Sequence, residues 1–438
     1  MKYISPTKRS LFITILVLAF IACNSAKEKK KPVHQNIVAS SFDASKQLVY
    51  YNTNHLALVK EKIKAQDSFF SKNYEAVLKA GTYALNYKVD PVTNKKEVPP
   101  SNDMHDYISY APYRWPDPST PNGLPWIPKD GIINPVSRNA DTDFSRKNNF
   151  FDAVENLTWA YYFSDDAVYA DKAMEIIKVW YLDPETKVNP NLNFGQGHPG
   201  IASGTKAGVH EWDGQSSIIT ALQLFEKKGI LPVAMKVGMT DWFTEYLNWL
   251  ITNPMAVDAG FTRQNHANHY TYQVIGLMMY LGKNDDAKAV VEDARQSRIA
   301  DQIMPDGGQP GELGRTKSVS YSNTNIWLMT EFTLMGQKLG IDLWKFETED
   351  GRSLKKAYEF LEYYVLHPEE WPKKQITEGG PEKALAEHTK PLLSKASTAL
   401  GERLIDPKVK AYLKLNPLTV LLYPPAEMLT EMKEKGYN

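Results

Sequence analysis

The chain has 438 residues, 42% hydrophobic and 23% charged, which is ordinary globular composition and excludes a disordered or collagen-like protein. Its 51 basic and 51 acidic side chains cancel, so no general attraction to nucleic acid is expected and a polyanion would need a local basic cleft. Tyr and Trp are frequent, 24 and 10, which suits a large core or a sugar-binding cleft.

The first element is apolar. Lys8-Arg9 precede a run from Leu11 to Ala22 that is too short to span a bilayer. A basic start, a short apolar stretch and a small residue at its end describe a secretory signal. Phe20-Ile21-Ala22-Cys23 resembles a bacterial lipoprotein box, in which the cysteine is acylated and becomes the new N-terminus. Residues 1–22 then read as signal peptide, 23–40 as lipidated N-terminus and tether, and 41–438 as one catalytic domain. The tether NSAKEKKKP is basic and lacks an acidic run, which favours an exported, periplasmic or outer-membrane-anchored lipoprotein touching membrane only through its lipid. Cys23 is the only cysteine. No disulfide, zinc ribbon or cysteine nucleophile is therefore expected in the mature chain.

From about residue 55 helical periodicity dominates. Leu56–Leu85 reads as one or two amphipathic helices. Asn148–Phe163 and Ala167–Tyr181 form a pair broken at Ser164-Asp165-Asp166. Ser216–Lys227 with Met239–Ile251, Asn268–Leu281 with Asp285–Ile303, and Asn325–Leu339 with Leu354–Leu366 form three more. Strand-like alternation is scarce, and no strict repeat marks a named solenoid. The predicted fold is all-α, an α/α toroid of paired antiparallel helices; an open helical solenoid is the alternative. Pro- and Gly-rich loops at Pro112–Pro135, Asn189–Gly214 and Pro305–Gly314 separate the pairs. Long loops on a helical scaffold are where sites collect.

Four segments carry candidate chemistry. Arg263-Gln264-Asn265-His266-Ala267-Asn268-His269-Tyr270 crowds amides, imidazoles and a phenol at a helix start. The Gly-rich stretch from Asp306 to Tyr321 supplies a fixed cation, Arg315, and a phenol, Tyr321. Ser109-Tyr110-Ala111-Pro112-Tyr113-Arg114-Trp115 is stiffened by proline and offers flat aromatic faces. Trp180 to Gly200 reads as a helix end and a cleft-side loop, with His198 structural. Metalloprotease, phosphate-loop and calcium-loop signatures are absent. His266 and His269, at i and i+3, could in principle share a metal, but no metal site is assigned and no cofactor is required.

Together these segments resemble the alginate-lyase-like family of polysaccharide lyases, which have α/α toroid folds. The resemblance runs from about Tyr107 to Tyr321 through four ordered blocks, SYAPYRWPDPS, WYLDPETKVNPNL, NHANHYTYQ and DGGQPGELGRTKSVSYSN. It departs at Gln264, where an Asn is common, and at His269, where another aromatic is common. It implies that Asn265, His266, Arg315 and Tyr321 form the catalytic site and that an anionic polysaccharide, alginate or another polyuronate, is the substrate. Loop position and residue type add His105, Tyr110, Arg114, Trp115, His210 and Tyr270 as candidate substrate contacts.

These groups suit β-elimination. A base must take the proton on C5 of a uronate, and an acid must protonate the departing O4. The adjacent carboxylate resists further negative charge, so Arg315 and the Asn265 amide are expected to neutralise it. His266 can act as base near neutral pH. Arg315 is expected to favour the ionised form of Tyr321, letting the phenol serve as base or acid. With guluronate-type sugars His266 as base and Tyr321 as acid is the natural division; with mannuronate-type sugars Tyr321 could do both. Two other readings compete. A toroid glycoside hydrolase would need paired carboxylates, with Glu211, Asp213 and Glu312 available. A non-catalytic glycan-binding lipoprotein would use Tyr110, Trp115 and Trp126 as platforms.

Overall fold

Apolar residues spaced three and four apart build helices that bury one face each. The computed structural model describes residues 42–406, 409, 415–425 and 428. The segments read as signal peptide and tether, with Cys23, lie outside the described residues. No helix among the described residues is long and apolar enough to cross a membrane.

The first pair is α1 (Thr53–Lys64) and α2 (Ser68–Ala84). Each starts on a side-chain cap. Asn52 accepts from Asn54 N and His55 N, and Asp67 from Phe69 N and Phe70 N. Such caps are worth about 1 kcal/mol each. The second pair is α3 (Phe144–Ser164) and α4 (Ala167–Tyr181). The predicted break between them is two residues long: Asp165 takes a left-handed conformation that ends α3, and Asp166 caps α4.

Next come α5 (Gln215–Lys227), α6 (Val233–Thr252) and the short α7 (Pro254–Ala259). Then follow α8 (Asn265–Tyr280) and α9 (Asn284–Ala294), the latter continued by a π-helical turn at Arg295–Ala300. After α10 (Pro310–Leu313) come α11 (Ser318–Lys338) and α12 (Leu354–Leu366). The last helices among the described residues are α13 (Pro381–Ala384), α14 (Lys390–Leu400) and α15 (Pro417–Leu422). Several helices begin before their predicted starts, among them α3 by four residues and α6 by six, and α8 by three residues and α11 by seven. Polar first turns hid the starts of α8 and α11 from the hydrophobic pattern.

Helix α3 packs on α2, α4 and α5, α8 on α9 and α11, and α11 on α14. Helix α15 returns to α1 and α2. Leu421, Leu422 and Tyr423 share a buried cluster there with Leu48, Leu56, Phe70 and Val77. This contact closes the ring and replaces the open solenoid with the all-α toroid. Trp159, Trp180 and Trp212 are among its largest fully buried side chains, and Phe150 stacks on Trp180 at 4.4 Å. Truncating one such aromatic to Ala costs about 3–5 kcal/mol. Lys338 ties the segment before α1 to the ring, donating to the carbonyls of Leu48, Val49 and Tyr51 at 2.8, 2.7 and 3.0 Å.

Strand structure is confined to the loops. β1 (Ile108–Tyr110) runs parallel to β4 (Phe194–Gly197), while β2 (Arg114–Trp115) pairs antiparallel with β3 (Ile127–Pro128). These ladders fix the two longest loops beside the starts of α8 and α11.

Candidate active site

Asn265 and His266 occupy the first turn of α8, where backbone N–H groups have no intrahelical partner. Gln264, at the cap position, makes no capping bond with its side chain. The cap comes from Glu312 of α10 instead. One of its oxygens accepts from Asn265 N at 2.6 Å and the other from Asn265 Nδ2 at 2.7 Å. Gly311 permits the approach, since a methyl there would strike the Arg263 carbonyl. Glu312 therefore satisfies a helix end, complements its dipole and fixes the Asn265 amide. Burial pushes the Glu312 carboxyl up, and its bonds from Asn265 oppose that.

The imidazoles of His210 and His266 stack at 5.3 Å and 12°, and His210 meets His269 at 5.1 Å. His269 Nδ1 bonds Asp213, and Gln196 Nε2 lies 3.2 Å from His210 Nε2. Burial lowers the His266 pKa to about 4, with His269, Arg315 and Lys206 adding to the effect. His266 is thus neutral at pH 7 and keeps a basic nitrogen. It lines a cavity of about 830 Å³ together with His198, Lys206, Arg263 and Gln264.

The second half of the site is the start of α11. Ser318 Oγ donates to Lys374 O at 2.7 Å, and Val319 N donates to Gln375 Oε1 at 3.0 Å. The first turn is thereby capped from a distant segment, with Tyr321 on it. Arg315 precedes the helix. Its Nη2 donates to Asp130 Oδ1 at 2.7 Å and to the Tyr321 hydroxyl at 3.1 Å. Tyr321 in turn donates to the Tyr113 hydroxyl at 2.9 Å. Arg315 pulls toward ionised Tyr321 as expected, but its pull does not prevail. Burial pushes the phenol pKa well above its usual value and Tyr113 and Asp130 push the same way, outweighing the pull of Arg315. Tyr321 is held as a proton donor.

Buried amides join the two halves. Asn268 Nδ2 on α8 donates to Gln302 Oε1 at 3.0 Å and to Asn325 Oδ1 on α11 at 2.5 Å. Asn325 Nδ2 also donates to Gln309 Oε1 at 2.9 Å. These bonds tie α8 to α11, while Asn268 Oδ1 and Gln302 Nε2 are buried without a partner among the described residues. Nothing in the local pattern singled out Asn325 or Gln302.

The candidate substrate contacts separate into groups. His210 belongs to the imidazole cluster. Tyr110 lines a neighbouring cavity of about 440 Å³ that shares His198 with the first. Arg114 is half-buried in β2, and its charge lowers the His198 pKa after burial has done so. Trp115 lines none of the described cavities. Its indole donates to Ile132 O at 2.9 Å, and Lys129 Nζ sits 4.7 Å from its ring centre. His105 is bound to the Lys187 carbonyl through Nδ1 at 2.6 Å. Tyr270 turns toward the protein body, against Gly260, with its hydroxyl 3.3 Å from Leu250 O. Local sequence gave no warning that Lys206 and His198 would flank His266; the loop from Asn189 to Gly214 brings them there.

The carboxylates considered for hydrolysis are already engaged. Glu211 accepts from Tyr107 at 2.8 Å, Ser109 at 2.5 Å and Gln196 at 3.1 Å. Asp213 holds His269, and Glu312 holds Asn265.

The alginate lyase family model matches residues 91–371. The chain is also similar to a solved alginate lyase from Bacteroides ovatus. That match has 33% identity and a TM-score of 0.77, and it covers 86% of this chain and 98% of the other. A second solved structure, alginate lyase A1-III from Sphingomonas species A1, matches with 15% identity and a TM-score of 0.48, covering 79% of this chain and 94% of the other. No curated protein matches the sequence. An extended match to the family model and a solved relative aligned along nearly its whole length lead to one conclusion: the chain belongs to the alginate lyase family of polysaccharide lyases.

Proposed function

We propose that this polysaccharide lyase cleaves alginate or a related polyuronate with His266 as base and Tyr321 as acid. The observation that supports the division is the opposite displacement of the two groups, His266 kept neutral and Tyr321 kept protonated. Pairs of titratable groups pushed apart by their surroundings mark acid and base. His266 takes the C5 proton, and the C–H electron pair becomes the C4–C5 double bond. The C4–O4 bond breaks, and O4 leaves with the proton of Tyr321. A bound uronate carboxylate near His266 raises the basicity of the ring as the reaction needs. Asn265, oriented by Glu312, has a second amide N–H for that carboxylate. Arg315 is engaged through Nε and Nη2 by Asp130 and Tyr321, which leaves Nη1 for substrate.

A protonated Tyr321 is a poor base. The reading therefore favours guluronate-type units, in which base and acid are separate groups. Incubation with polyguluronate, polymannuronate and glucuronan, followed by ultraviolet absorbance of the unsaturated product, tests it. Turnover of polyguluronate above polymannuronate is expected. Reducing ends without that absorbance would mean hydrolysis and reject the reading.

The chain also reads as an exported lipoprotein acylated at Cys23 and anchored by lipid in the periplasm or at the outer membrane. The short apolar run ending at Ala22-Cys23 supports this. Membrane partitioning should be lost in Cys23→Ala; an unchanged membrane fraction would refute the anchor.

A further inference from the structure

We infer that Asp130 is a positioning residue of the reaction centre, setting the Arg315 guanidinium and through it the Tyr321 hydroxyl. The inference rests on the assignment of Tyr321 as the acid.

Asp130 follows β3 in the loop between the aromatic hairpin and α3. Its Oδ1 accepts from Arg315 Nη2 at 2.7 Å and from Nε at 3.3 Å. Its Oδ2 accepts from Thr316 N at 3.1 Å and Thr316 Oγ1 at 2.9 Å. One carboxylate thus grips the side chain of Arg315 and the backbone that carries it. Gly131, in a left-handed conformation with φ of 78°, lets the loop press against the Thr316 hydroxyl, where a methyl would collide. The guanidinium is planar and rigid, so fixing its Nε–Nη2 edge fixes the whole fork. Nη2 also serves Tyr321, and Cζ lies 4.1 Å from the centre of the Tyr321 ring. The phenol is therefore oriented by a group that Asp130 orients.

An exposed ion pair commonly contributes almost nothing. This pair differs because its cation also bonds the acid. Charge matters as well as shape. The titratable groups facing Tyr321 are Tyr113 from the aromatic loop, Arg315 from the turn before α11, and Asp130. Lys317 stands farther off, with Nζ 5.9 Å from the Tyr113 ring centre. Asp130 offsets the Arg315 charge and helps keep the phenol protonated. Removing the negative charge moves the ionisation of Tyr321 to lower pH.

The test uses full-length Asp130→Asn, isosteric but uncharged, and Asp130→Ala, each checked for native circular dichroism and melting temperature. Initial rates on alginate are followed by ultraviolet absorbance. A displacement small in ångströms can cost about a hundredfold in rate. Accordingly kcat should fall about ten- to a hundredfold with KM little changed. In an Arg315→Ala background, Asp130→Asn should cause almost no further loss. Wild-type kcat would overturn the inference. So would an equal loss with and without Arg315, or a loss that follows melting temperature. Tyr321→Phe is measured in parallel. Should it keep turning over, the assignment of the acid falls and this inference with it. Should it be inactive while Asp130→Asn behaves as wild type, only the inference about Asp130 falls.

Discussion

The two halves of the site solve opposite problems. At the start of α8, burial and neighbouring cations strip His266 of its proton, and the ring stacks on His210. At the start of α11, a cation is present, but burial, Tyr113 and Asp130 overrule it, and Tyr321 keeps its proton. Arg315 taken alone would favour an ionised phenol. The lesson is that desolvation is the largest influence on both groups, and that it lowers the pKa of an imidazole and raises that of a phenol.

The comparison breaks most sharply at Tyr321. Tyr321→Phe keeps the ring and removes the hydroxyl proposed as the acid, so initial rates on every polyuronate should drop about a hundred- to ten-thousand-fold. Near-wild-type turnover on any of them would place the acid elsewhere. His266→Ala should lower guluronate cleavage by about a hundredfold or more and mannuronate cleavage by less. Equal losses on both homopolymers would show that His266 serves both epimers in the same way. Arg315→Lys keeps the charge but loses the fork shared by Asp130 and Tyr321. Rates should fall about tenfold or more on both polymers, and a change confined to one polymer would contradict the common role.

The pH dependence sharpens the His266 side. Its pKa is about 4 when folded, against about 6.5 unfolded. Between those values the unfolded chain binds more protons, so stability falls as pH drops from about 6.5 to 4, by about 3 kcal/mol for this group. Melting temperature of His266→Gln should decline less than wild type across that window; identical curves would count against a neutral His266. The smallest effect is expected at Trp115. Its indole is committed to Ile132 O and Lys129 within the hairpin. Trp115→Ala should therefore cost about 1 kcal/mol in stability and leave the rate nearly unchanged. A large rise in KM would restore it as a polymer-binding platform.

Much of the scaffold was legible. The break at Ser164-Asp165-Asp166 and both ends of Leu354–Leu366 follow from caps and apolar spacing. The starts of α8 and α11 were not legible, because their first turns are polar and are capped by Glu312 and Gln375, residues far away in sequence. The same long-range caps explain why Tyr321, read as part of a glycine-rich loop, is on a helix. Tyr270 and His105 were chosen for residue type and loop position, and neither property shows which way a side chain turns.

By itself the sequence determined the helical pairs, the long loops between them and the ordered blocks that carry the family's chemistry, because these are local patterns of apolar spacing, proline, glycine and residue identity. Only the tertiary structure decided that the ring closes through α15, that Asn268 and Asn325 bind the two halves together, and that Asp130 comes to hold Arg315. It also decided the protonation of His266 and Tyr321, since a pKa depends on the water a group loses and the charges it meets, and both are set by residues remote in the chain.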